Sequence, residues 1–449
     1  MHRLPLLLLL TACGRSDAKL SWSVDLKTDA DDGSEHGEAD EDGGGDDAGD
    51  GDPDGPACTV DGDGQLPAVE GDFVAQDVPL SATRTHCRGV LHATAGAAGA
   101  TLNIRLDDWA SADPAHLTVR NLLGETLADV SAMAQDDELE LVLEQSGEVF
   151  IALQPTDPEA AAHDYALTTT CVADCRPFTR YPIILMHGMA GDDAWIGVFD
   201  YFVGVEDHLS DVGFLAIAPG ADAFNTVEAR ATQWQTHLDD LEADGIGRRF
   251  NLIGHSQGGL DARYLASGLD DGRVSSIITV ATPHRGTAVA DIATGVLDAS
   301  PLGAWATDAV ASLLATIIGL GEAEMVDQLR DLSTAELALF NEQVPDVEGV
   351  YYASWAGRTC TRTDWTCLVE NDGEITNAFF ALTTRVVQWA EGDNDGLVSV
   401  DSAVWGDFRG VLPADHIDSV GIHYPTATAP LDHLEFYEDE ARRLAGLGH

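Results

Sequence analysis

The chain has 449 residues, enough for two or three domains, and 45% of them are hydrophobic. Its 77 acidic residues face only 23 basic ones, a formal net charge of −54. That balance excludes nucleic acid as a partner and charge-driven docking on anionic head groups, and it suits an exported protein in salty or calcium-containing surroundings.

The chain opens with one arginine and an apolar run, Leu6 to Leu10, too short to span a membrane and read as an export signal. Its ending, Leu10-Thr-Ala-Cys13, resembles a bacterial lipobox, which implies a lipidated Cys13 as the mature N-terminus. By the same resemblance Gly14 directs the protein to the outer membrane or cell surface; without lipidation it would be secreted. No other segment reads as a transmembrane helix.

Six cysteines remain for three disulfides in an oxidising compartment. Cys360 and Cys367 are close together and far from the rest, so they pair. Cys58, Cys87, Cys171 and Cys175 allow three connectivities, and the sequence does not choose among them. A zinc site at Cys171-x-x-x-Cys175 is the rival reading, but no histidine cluster supports it.

Residues 14–57 contain no core. Asp29 to Asp54 is about half acidic with interspersed glycines, so the segment repels itself and forms a disordered, extended linker or tether. Residues 58–175 carry short β-rich runs at 86–92, 101–106, 116–120, 139–143, 149–153 and 165–170, with Ser146-Gly147 expected as a hairpin turn. They predict a small accessory β-sandwich, loosely similar to the jelly-roll domains of secreted bacterial hydrolases. A carbohydrate- or surface-binding role and a structural role are both open for it.

From residue 176 to 449 strand and helix patterns alternate, which predicts an α/β fold with a mostly parallel sheet and helices on both faces. Tyr181 to His187, Phe214 to Ala218 and Val274 to Ala281 read as strands, and Thr226 to Leu241 as a helix. Phe250 to Ile253 is another strand, followed by Gly254-His-Ser-Gln-Gly258 and an amphipathic helix. Strand, Gly-x-Ser-x-Gly and helix make a nucleophile elbow, in which a Cβ at either glycine would strike the adjoining strand or helix. Ser256 is the candidate nucleophile, with the Gln257 amide placed to bind an oxyanion. Ala304 to Leu320 is helical and apolar, with Val310, Leu313, Leu314, Ile317 and Ile318 on one face. It reads equally as a lid or as a core helix.

A serine needs a histidine to take its proton and a carboxylate to orient that histidine. In this fold both follow the nucleophile, and the histidines beyond Ser256 are His284, His416, His423, His433 and His449. His433, just before a C-terminal helix, is the expected base, and Asp395, in the turn Gly392-Asp-Asn-Asp-Gly396, the expected acid.

Residues 180–446 resemble the foldase-dependent bacterial triacylglycerol lipases of the α/β-hydrolase superfamily. The shared pieces are Tyr181 to Gly188, Asn251 to Leu260, Thr282 to Gly286, Asp331 to Ala335, Asn394 to Val398, and His433-Leu434. The resemblance implies a triacylglycerol lipase with Ser256 as nucleophile, Asp395 as orienting acid and His433 as general base. It implies an oxyanion hole from the amides of Met189 and Gln257, and structural roles for His187 and His284. It further implies no cofactor for the chemistry but a structural calcium ion, held at Asp372 and Glu435, and a lipase-specific foldase as partner. The family's disulfide spans a longer loop than Cys360–Cys367, and the tether and sandwich are additions to it. The expected chemistry is acyl transfer from a lipid ester to Ser256 and then to water. The alternatives are a carboxylesterase or polyester depolymerase, and a non-catalytic surface binding protein.

Overall fold

The computed structural model describes residues 78–82, 90–109, 114–123, 125–156, 165–189, 191, 201–297, 304–318, 325–423 and 428–449. The export signal, Cys13, the acidic tether, Cys58 and Cys87 lie outside the described residues.

Eight strands form the first region: β1 (Val78–Ala82), β2 (Val90–Gly96), β3 (Thr101–Trp109), β4 (Ala115–Arg120), β5 (Thr126–Met133), β6 (Glu138–Val142), β7 (Gly147–Pro155) and β8 (Tyr165–Ala173). They make two antiparallel sheets, in the orders β1-β8-β3-β6 and β2-β7-β4-β5. Alternate residues of β3 (Leu102, Ile104, Leu106) meet those of β4 (Leu117, Val119) and β7 (Val149, Ile151, Leu153) in one core. This is the period-two burial of a sandwich. The expected hairpin at Ser146-Gly147 does not form, because β6 and β7 belong to different sheets. The turn crosses between the layers instead, and the Ser146 hydroxyl receives the Ala98 amide at 2.8 Å. At the exit of the sandwich Cys171 is bonded to Cys175, which removes the zinc reading of that pair.

The second region is one six-stranded sheet, parallel throughout, in the order β10-β9-β11-β12-β13-β14. Its strands are β9 (Ile183–Met186), β10 (Ala216–Ile217), β11 (Phe250–His255), β12 (Val274–Val280), β13 (Tyr351–Arg358) and β14 (Asp407–Pro413). Every residue of β9, β11 and β12 is buried, as helices on both faces require. Helices α1 (Val205–Val212) and α11 (His433–Leu447) cover one face. Helices α2 (Val227–Ala243) and α3 (Gln257–Arg263) cover the other. The chain runs from β9 outward to β10 and then returns to the far side of β9 as β11. That reversal opens a crevice at the strands' C-terminal ends, where α/β sheets place their ligands.

The sandwich docks at the opposite, N-terminal edge of this sheet. Glu148, at the start of β7, is buried between Arg180, which precedes β9, and Arg248, which precedes β11, each at 2.7 Å. Phe178 packs among Ala95, Ala97 and Ala100, and Leu123 closes over Gly245. Among the described residues no helix is long and apolar enough to cross a membrane.

Candidate active site

Ser256 sits at the C-terminal end of β11 with φ 55° and ψ −128°, a strained conformation for a residue with a side chain. Its glycine neighbours make the turn possible. A Cβ on Gly254 would lie 2.5 Å from the Gly259 nitrogen in α3, and one on Gly258 2.2 Å from the Met186 carbonyl in β9. Helix and strand therefore close on the serine from both sides, and its hydroxyl projects into the crevice.

The histidine that meets it is His416. Its Nε2 is 3.0 Å from Ser256 Oγ, and its Nδ1 is 2.8 Å from Asp395 Oδ2. A carboxylate only accepts, so Nδ1 carries the proton and Nε2 is free to take the serine's. The other Asp395 oxygen accepts the amides of Leu397 and Val398, at 2.9 and 2.8 Å. Gly357 at the end of β13 makes room for this acid, since a Cβ there would come 2.8 Å from the Asp395 Cβ. Ser256, His416 and Asp395 are all buried.

The structure corrects the expected base. His433 opens α11, and its Nε2 donates to the Val203 carbonyl at 2.8 Å, so the nitrogen is spent on the backbone. Its ring lies against Gly421, where a Cβ would come within 2.3 Å of Nε2. His416 follows β14 by three residues, the place where this architecture delivers a base to the sheet's C-terminal edge.

The Gly188–Met189 peptide borders the nucleophile: a Cβ on Gly188 would lie 2.7 Å from the Ser256 Cβ. Gln257 is the first residue of α3, so its N–H has no acceptor within the helix. These are the two amides expected to hold an oxyanion. Beneath the first, buried Arg230 donates to the His187 carbonyl at 2.5 Å and pairs with Asp261 at 2.7 Å. His187 Nε2 accepts the Ala221 amide at 2.9 Å, and burial beside Arg230 lowers its pKa to about 3, so it remains neutral. His284 is likewise buried, between Thr279 and Arg263.

The expected calcium ligands are not where acids converge. Asp372 and Glu435 are both exposed. Three other carboxylates, Glu374, Asp415 and Asp418, are buried with ligand atoms within 4.8 Å of one another. Burial raises the Glu374 pKa to about 8 and the Asp415 pKa to about 7, the latter also through Asp418. Asp418 Oδ2 has no hydrogen-bond partner. Glu374 in turn accepts from the Thr359 hydroxyl and the Cys360 amide, beside the Cys360–Cys367 disulfide. Asp415 and Asp418 flank His416, so the trio braces the loop that carries this histidine.

Comparison with known proteins gives this geometry a family. Residues 182–317 match the family model of palmitoyl protein thioesterase. The triacylglycerol lipase of Pseudomonas fragi is 30% identical over 295 residues, spanning 60% of this chain and 98% of that one. The triacylglycerol lipase of Vibrio cholerae serotype O1 is 31% identical over 294 residues, spanning 60% of this chain and 89% of its own. The chain belongs to the bacterial triacylglycerol lipase family. It is an ester-hydrolysing lipase of the α/β-hydrolase type. A third relative, the triacylglycerol lipase of Burkholderia plantarii, is 29% identical over 297 residues, 57% of this lipase and 83% of that chain.

The helix expected as a lid or as core is present in the lipase as α5 (Ala304–Ile318). Its Ala306, Ala309 and Val310 are buried against Val289, Phe380, Val386, Val387 and Ile417, while Trp305 is exposed. Ile417 adjoins His416, so this helix abuts the loop that carries that histidine. The side chains of Leu313, Leu314, Ile317 and Ile318 lie outside the described residues.

Proposed function

We propose that the lipase cleaves triacylglycerol and related lipid esters through an acyl-enzyme on Ser256, with His416 as base and Asp395 as its orienting acid. The observation that carries this reading is the unbroken hydrogen-bonded chain Ser256–His416–Asp395. Ser256 Oγ attacks the ester carbonyl as His416 Nε2 takes its proton. The tetrahedral oxyanion is held by the amides of Met189 and Gln257, each such donor contributing about two to three orders of magnitude in rate. His416 then protonates the leaving alcohol, and the same nitrogen activates the water that frees the fatty acid. Asp395 keeps the imidazole in the tautomer that both steps need.

A structural calcium ion fits Glu374, Asp415 and Asp418. The donors are all oxygen, the set a hard divalent cation takes, and the acids are buried without an arginine or lysine partner among the described ion pairs. Calcium there would neutralise the three carboxylates and hold the His416 loop to the segment containing Glu374. It plays no part in the bond-breaking steps. Helix α5 serves as the lid, its apolar residues facing a lipid surface when it lifts from the crevice. Export follows from the N-terminal signal, with Cys13 as the lipid attachment point and a foldase as an assembly partner.

The test is hydrolysis of an emulsified long-chain triglyceride beside a soluble short-chain ester, with calcium, for wild type, Ser256→Ala and His416→Ala. Emulsion activity that both substitutions abolish is the expected result. Activity on the soluble ester alone would remove the triglyceride and lid assignments. Folded wild type inert on both would overturn the hydrolase reading.

A further inference from the structure

Behind the nucleophile runs a second hydrogen-bond chain that the acyl-transfer steps do not use. His255, the residue before Ser256, is fully buried. Its Nε2 lies 2.8 Å from the backbone carbonyl of His416, and its Nδ1 lies 2.7 Å from the Tyr201 hydroxyl. The Tyr201 oxygen also packs against Gly188, where a Cβ would come within 2.9 Å of it.

Only one arrangement of protons satisfies these contacts. A carbonyl cannot donate, so His255 Nε2 must carry a proton and give it to His416. Burial, with His416 nearby, pushes the His255 pKa well down, so the ring is neutral and Nδ1 is bare. The Tyr201 O–H therefore donates to Nδ1. The chain is directed from Tyr201 to His255 to the His416 carbonyl. It starts from a phenol packed against the loop that carries the first proposed oxyanion amide and ends on the backbone of the proposed base, and its middle member is covalently joined to the nucleophile.

We infer that Tyr201 and His255 are positioning residues, which lock the oxyanion loop and the general-base loop to the nucleophile elbow through this one directed chain. The inference rests on the catalytic roles proposed above for Ser256 and His416. Its energetic logic is that His255 is fully buried and Tyr201 half-buried, so breaking the link leaves the imidazole with an unmet polar group. The loops then drift relative to Ser256, and errors on the order of 1 Å in such positions cost about 100-fold in rate. The chain acts through the placement of the two loops, so the loss is expected on kcat, with KM left in place.

The test compares full-length Tyr201→Phe, His255→Leu, His255→Gln and the double variant Tyr201→Phe/His255→Leu on a soluble short-chain ester. Tyr201→Phe removes one oxygen atom and nothing else. It should lower kcat by about 10- to 100-fold with KM within twofold, and slow inactivation by a serine-directed phosphonate by a similar factor. His255→Gln keeps an N–H donor for the His416 carbonyl and should recover part of the rate that His255→Leu loses. The double variant should be no worse than the poorer single one, because both break one chain. Unchanged kcat in Tyr201→Phe, with only a lower melting temperature, would overturn the inference, as would full additivity in the double variant. Should His255→Leu fail to fold, Tyr201→Phe decides alone. Ser256→Ala, run alongside, separates the two failures: retained activity there sinks the catalytic reading itself.

Discussion

The two edges of the central sheet each hold buried carboxylates, and the fold treats them in opposite ways. At the N-terminal edge Glu148 enters from the sandwich and is met by Arg180 and Arg248, so its charge is matched by the chain itself. At the C-terminal edge Glu374, Asp415 and Asp418 share one buried spot, with His423 on Asp418 as the partner among the described ion pairs. Buried charge is costly unless paired, and an unpaired carboxyl escapes by holding its proton. The raised pKa values of Glu374 and Asp415 are that escape. The lesson is one of purpose. The edge with resident counter-charges joins two regions, whereas the edge without them is where the proposed calcium ion would sit, beside the histidine proposed as base.

This contrast assigns rate to one edge and stability to the other. His416→Ala should lower kcat by about four orders of magnitude or more, since serine and base act as a unit. His433→Ala should leave kcat near wild type and lower the melting temperature slightly, through the lost bond to Val203. A reversal of those two results would return the base to His433. At the other edge, Glu148→Gln should cost about 3 kcal/mol of stability, because breaking a buried pair strands the remaining charge. Its kcat at a temperature where the protein stays folded should match wild type. A large kcat loss in Glu148→Gln would mean that the sandwich reaches the catalytic edge after all.

Calcium removal comes next in size. A ligand present at about 100 times its Kd adds roughly 2.7 kcal/mol, so chelation should lower the melting temperature by several degrees. The pH dependence has a definite sign. Carboxyls whose folded pKa is raised favour the folded state fully below their unfolded pKa, and that stability is lost as pH climbs through the folded value. In chelator, stability should therefore fall between about pH 4 and pH 8, the window set by Glu374 and Asp415. Saturating calcium should remove that fall. A chelated protein equally stable across the window would show that the trio carries no strain for a cation to relieve.

How much of this was legible in the sequence follows from where the signals are local. The elbow is local: a buried strand, two obligatory glycines and a helix are contiguous from Phe250 to Arg263, and no distant contact is needed to read them. The parallel sheet was legible in β9, β11 and β12, which are mostly apolar and buried throughout because both faces are covered. The histidine beside Ser256 was not legible because its strand was not. β14, Asp407 to Pro413, is an edge strand in which Asp407, Arg409 and Val411 are exposed, and it offers no apolar run. With β14 unread, His416 followed nothing, and His433 had the helix start to recommend it. β5 escaped for the same reason, since most of its residues face solvent. The expected calcium ligands then followed that choice of histidine. An offset of two residues counted from His433 lands on Glu435, while the same offset from His416 lands on the buried Asp418.

The smallest predicted effects test that inheritance directly. Asp372→Asn and Glu435→Gln should each change stability by no more than about 0.5 kcal/mol, and the calcium-dependent rise in melting temperature should persist. Asp372 is exposed with φ 52°, a left-handed conformation that asparagine also tolerates, so the substitution removes charge without adding backbone strain. Glu435 sits exposed in the first turn of α11, where a carboxylate gains a few tenths of a kcal/mol from the helix dipole. Asp418→Asn, by contrast, removes a buried ligand and should abolish the calcium response. Loss of that response in Asp372→Asn or Glu435→Gln, with retention in Asp418→Asn, would move the ion to the surface and leave the buried trio as three protonated acids.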